Sequence, residues 1–181
     1  TATLLGTSLV TSHVTDVLHL ALILLSFLAG AAISGAFLQS GALKLGHNYS
    51  SLLLFEAILL ASSVYFLSND SVNGHYLASA ACGLQNALAT TYSGAVIRTT
   101  HVTGIFTDLG LMLGAKLRGE PFDKRKALLF LLIISGFICG GTLGAYAFQF
   151  YKFNALFIPA TICLVLAVSY SVFKAINSNK T

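Results

Sequence analysis

Charge is what this chain has least of. Its 181 residues include ten Lys and Arg and six Asp and Glu, so 9% are charged, where a soluble domain carries roughly a quarter. So few charges cannot cover a folded 19.1 kDa protein in water, which excludes a water-soluble globule. Proline occurs twice and tryptophan not at all, so little in the sequence interrupts a long helix. Cysteine is scarce too: Cys82, Cys139 and Cys163 stand singly in apolar runs with no C-x-x-C pair. That pattern supports neither a disulfide framework nor a zinc knuckle, and the three read as small packing residues. G-x-S-x-G, P-loop and H-E-x-x-H motifs are all missing, so nothing argues for an enzyme, a metal site or a cofactor. The first residues lack the basic region and cleavage site of a signal peptide, and further residues are expected upstream of Thr1.

What the chain has is apolar length. Hydrophobic residues make up 56% of it, and the mean hydropathy is +0.82. A spanning helix needs about 20 predominantly apolar residues, and five stretches approach or meet that: 18–38, 50–68, 76–97, 126–148 and 153–174. The apolar run within 102–117 (VTGIFTDLGLMLGAKL) is too short to cross alone and reads as a re-entrant or interfacial segment. The fold class is therefore an all-α polytopic membrane protein, a single membrane domain over 1–181 whose first partner is the lipid bilayer. Lys116, Arg118, Lys124, Arg125 and Lys126 form the densest basic loop, which the positive-inside rule assigns to the cytoplasm. Five spans threaded from it bring Lys44, His47, Arg98 and the C-terminus to the same side and leave Lys152 outside. The net charge of +4 is concentrated there, which suits anionic lipid heads better than nucleic acid.

The two halves resemble each other. Thr3-Leu4-Leu5-Gly6 matches Thr107-Asp108-Leu109-Gly110, Phe27-Leu28-Ala29-Gly30 matches Phe137-Ile138-Cys139-Gly140, and Leu54-Phe55 matches Leu156-Phe157, in the same order. Each unit would hold a polar helix, a short segment and two plain helices, with 1–68 a partial first copy and 76–175 the second. A unit of three spans has odd parity, so its tandem copy lies upside down. Inverted repeats with helix breaks near the midplane are the architecture of many secondary transporters. Two small-residue series, Ser26-Gly30-Ser34 and Gly136-Gly140-Gly144, are expected to be close-packing faces.

The stretch GLQNALATTYSGAVIRTTHVTGIFTDLGLMLG at 83–114, with LLLFEAILL at 52–60, resembles the YoaK-like family of bacterial integral membrane proteins. The resemblance covers essentially the whole chain and implies a multi-pass protein of the bacterial inner membrane. That family usually carries an extra N-terminal helix, of which something similar to the tail is seen at Thr1-Ala2-Thr3 and Leu5-Gly6. It implies no substrate or reaction.

Glu56 is the sharpest single residue, because a carboxylate amid an apolar span costs several kcal/mol unless it is protonated, paired or set in a polar cavity. It reads either as a proton, cation or substrate site or as half of a structural pair, with Arg98 the favoured partner. His101, Thr103, Thr107 and Asp108 follow the third span around Gly104 and Gly110. On a helix Thr103 shares a face with Thr107 and His101 with Asp108. They read as a polar pocket or as an ordinary helix end. Gln85 and Asn86 are substrate contacts or amide glue between helices. His13, Asp16 and His19 read as an outside-facing titrating cluster or, in preference, as an exposed helix start. Two functions stay open. One is a small-solute permease or channel bound through Glu56, Gln85, Asn86, Arg98, His101, Thr103, Thr107 and Asp108. The other is an accessory subunit docking through its glycine faces in a homo-oligomer or larger membrane complex.

Overall fold

The protein, a computed structural model, is described over residues 1–11, 13–38, 48–92 and 101–178, and among these there is no strand. Seven helices follow in order: α1 (Ala2–Thr11), α2 (Val14–Phe37), α3 (Tyr49–Ser68), α4 (Asn73–Tyr92), α5 (Val102–Leu117), α6 (Lys124–Tyr151) and α7 (Phe157–Ser178). A 3-10 turn, Lys152–Leu156, joins the last two, so the final span starts later than the expected residue 153. Three stretches are long and apolar enough to cross a membrane: Val14–Phe37, Tyr49–Ser68, and Lys124–Ile176, which contains both α6 and α7. Helix α4 is not among them, because its amides and hydroxyls dilute its apolar character, and the expected continuation to residue 97 lies outside the described residues.

Packing begins with two glycines. Helices α2 and α4 run side by side in the same direction, with Ser79 Oγ donating to the Ile23 carbonyl at 2.8 Å. A Cβ built on Gly30 would collide with the Ala80 carbonyl, and one on Gly83 with the Phe27 carbonyl. Only hydrogen at those two positions lets the backbones come this close, as small residues do between helices in lipid. At one end of the pair, His19 Nδ1 meets the Tyr76 hydroxyl at 2.9 Å, and the His19 ring sits edge-on to His75 at 5.5 Å.

The turn at Asn69–Val72 sends α4 back along α3, and buried Ser63 donates to the Gly74 carbonyl at 2.8 Å. Helix α7 lies antiparallel on α3: Ala167 packs with Leu52 and Leu53, while Ala160 and Cys163 pack with Ala57 and Leu60. Helix α4 completes this centre with Ala81, Leu84 and Leu88. Away from it, Ile105 of α5 packs with Phe130 and Ile134 of α6, and Asp123 caps α6 by accepting from the Arg125 and Lys126 amides at 3.0 Å. Leucines 18, 22, 25, 128, 131 and 132 face outward, an apolar surface of the kind that meets lipid.

The expected glycine faces part company. On α2, Gly30 and Ser34 are buried while Ser26 is only half-buried and its hydroxyl donates back to the Leu22 carbonyl. On α6, Gly136, Gly140 and Gly144 are all exposed, with nothing within 4 Å of where a Cβ would be. A Gly83→Leu substitution is accordingly expected to cost about 1–3 kcal/mol through overpacking, and Gly140→Leu to leave stability nearly unchanged. Thermal unfolding of the two variants in the same mild detergent checks the contrast.

Candidate functional site

Glu56 lies about two turns into α3 and retains 2% of its exposure. Its neighbours along the helix, Leu52, Leu53, Ala57 and Leu60, are buried with it. Their spacing sets one face of α3 against both α4 and α7, and Glu56 is on that face. The Cys163 thiol, also about two turns into its helix, comes within hydrogen-bonding reach of the carboxyl from α7. Oε2 of Glu56 has no hydrogen-bond partner among the described residues. Because α3 and α7 run in opposite directions, the pair sits level with the midpoint between their two starting ends.

Beside this pair opens a cleft of about 510 Å³ between α3, α4, α6 and α7. Leu53, Leu88, Ile133, Phe137, Ile162 and Leu166 make most of its wall apolar, and Gln85, Tyr49 and the Cys163 thiol contribute polar atoms. Glu56 stands behind Cys163 rather than on the wall.

Of the residues marked from sequence, Glu56 and Gln85 approach this region from two helices. Asn86 is half-buried on α4, and its carbonyl accepts from Thr90 Oγ1 at 2.7 Å. His101, Thr103, Thr107 and Asp108 are exposed on or before α5, whose core contacts are with α6. The structure does not bring them to Glu56. Thr107 donates to the Thr103 carbonyl at 3.1 Å, the His101 ring folds against Gly104, and His101 makes no side-chain cap bond to α5. Arg98 lies outside the described residues, and so does any pairing of it with Glu56. Among the described residues no group of three metal-ligating side chains converges.

Two participants escaped sequence reasoning. Cys163 reads as a packing residue in an apolar run, and only the crossing of α7 over α3 gives its thiol a carboxyl to face. The His19–His75–Tyr76 cluster joins residues far apart in sequence; a histidine opening an apolar helix was the available signal.

A family model, described as a protein of unknown function (DUF1275), matches residues 1–169. No curated protein and no solved structure matches.

An unpartnered polar atom in an apolar core destabilises a fold, so removing it restores stability. Glu56→Met is expected to leave stability in detergent equal to the native protein or up to about 2 kcal/mol above it. A loss on thermal unfolding would identify Glu56 as half of a structural pair.

Proposed function

The chain belongs to the DUF1275 family, whose function is unknown, and from its own residues we propose that it is a multi-pass membrane permease or channel for a small solute, not an enzyme. One observation carries this reading. A carboxyl with an oxygen unpartnered among the described residues is buried at the centre of the helix packing, beside a cleft. Apolar packing alone would favour a leucine there, and ionisable groups inside membrane helices mark solute and ion paths. In this reading Glu56 is the central group, with Cys163 and Gln85 on the side toward the cleft. Asn86 belongs to the approach, while His101, Thr103, Thr107 and Asp108, exposed on or before α5, stand apart from the central group.

The architecture we propose is five spans, α2, α3, α4, α6 and α7, with α5 re-entrant or interfacial. Helices α2, α4 and α7 share one direction, which agrees with a cytoplasmic basic loop before α6 and a cytoplasmic C-terminus. An inverted repeat accounts for further features. Each half contains a short helix and then two long ones, α1-α2-α3 and α5-α6-α7. Antiparallel contact between α3 and α7, with Glu56 and Cys163 facing each other about two turns into each, is what a two-fold axis in the membrane plane would produce. The third sequence match does not keep this step, since Leu54-Phe55 lies inside α3 while Leu156-Phe157 straddles the start of α7. The resemblance of 83–114 to YoaK-like proteins agrees with a bacterial inner-membrane location.

The competing reading, an accessory subunit of a larger membrane complex, draws on the open glycines of α6. Liposome swelling with urea, glycerol and sorbitol separates the two. Vesicles containing the protein are expected to swell faster than empty ones for at least one solute. Glu56→Gln should slow this by about tenfold or more, equivalent to at least 1.4 kcal/mol, and Asp108→Asn should leave it nearly unchanged. Swelling no faster than in empty vesicles, together with a partner co-purifying in fixed ratio, would favour the subunit.

A further inference from the structure

We propose that Glu56 and the Cys163 thiol form a proton-binding site reached from the α3–α4–α6–α7 cleft, and that the proton is the ion the protein couples to its solute. The coupling clause rests on the permease reading above; the binding site does not.

Three observations converge on it. Glu56 is 2% exposed, and its Oε2 has no partner among the described residues. A carboxyl placed so has two ways to avoid an isolated charge in an apolar interior: a cation beside it or a proton on it. Among the described residues, the groups packed around it supply no cation. Helix α7 presents the buried Cys163 thiol, and α4 carries the exposed Cys82 thiol. The 3-10 turn against α3 carries Lys152, whose ammonium lies over the Phe148 ring instead, and the ion pair among the described residues is Arg118 with Glu120, on the exposed loop. A proton is the ion that needs only one such oxygen and no coordination shell, whereas a metal ion requires several ligands, which do not converge among the described residues.

Access gives the site a use. Cys163 lines the cleft and also reaches the carboxyl, so a turn of its side chain would expose Glu56 to whatever fills the cleft. The mostly apolar wall would admit a lipid-soluble molecule more readily than a charged one.

A lipid-soluble carbodiimide uses this chemistry directly: a protonated carboxyl adds across one C=N bond to give an O-acylisourea, which rearranges by O-to-N acyl transfer, where water is scarce, to an N-acylurea retained on the residue. The full chain in liposomes is treated with dicyclohexylcarbodiimide or with a water-soluble carbodiimide, and the adducts are located by mass spectrometry. The expected result is labelling of Glu56 by the lipid-soluble reagent alone, decreasing toward alkaline pH, retained in Glu56→Asp and faster in Cys163→Ala. An unmodified Glu56 at every pH, in a sample whose exposed Glu120 reacts with the water-soluble reagent, would overturn the proton site. Preferential labelling by the water-soluble reagent would overturn it too, since a carboxyl that open to water would be solvated as a carboxylate and have no need of the proton. Labelled Glu56 with solute swelling undiminished would keep the proton site and remove its coupling to permeation.

Discussion

The arrangement depends on how closely helix backbones can approach where no side chain intervenes. Lipid is as apolar as leucine, so burying apolar surface does little to hold helices together in a bilayer, and tight packing with a few hydrogen bonds must do it. Gly30 and Gly83 bring α2 onto α4. Ala160, Cys163 and Ala167 bring α7 onto α3 and α4. These small residues fix which faces meet, and so decide that Glu56 points into protein and not into lipid.

That packing also explains why an acidic residue can be retained there. A carboxyl aimed at lipid would have to reach the headgroups or lose its charge among acyl chains. At the meeting of α3 and α7 it has a thiol within reach on one side and a cleft nearby. The same small residue that permits close packing, Cys163, also brings a thiol within reach of the carboxyl, so packing and chemistry use one position.

The two halves of the chain are used unequally. Helix α2 buries Gly30 and Ser34 against α4, whereas α6, whose Gly140 was matched to Gly30 by sequence, leaves its glycines open. Its described core contacts are with α5, through Phe130 and Ile134. The cleft beside Cys163 follows from this, because α6 contributes one wall without closing onto α4 and α7.

The sequence by itself determined the all-helical class, most of the long helices and the cost of leaving Glu56 unaccompanied in an apolar run. Each follows from transfer free energies that act residue by residue: apolar runs prefer hydrocarbon, and a carboxylate within one is costly wherever the run is placed. Spacing further told which residues share a helix face, as Thr103 and Thr107 do. It could not tell which face meets which. Whether Cys163 is filler or a partner of Glu56, whether Gly30 or Gly140 touches another backbone, and whether the α5 residues approach Glu56 all turn on contacts between helices distant in the chain. Tertiary structure alone decided those, because helix association in lipid depends on shape at a few small residues, and apolar sequence carries almost no record of which surfaces are complementary.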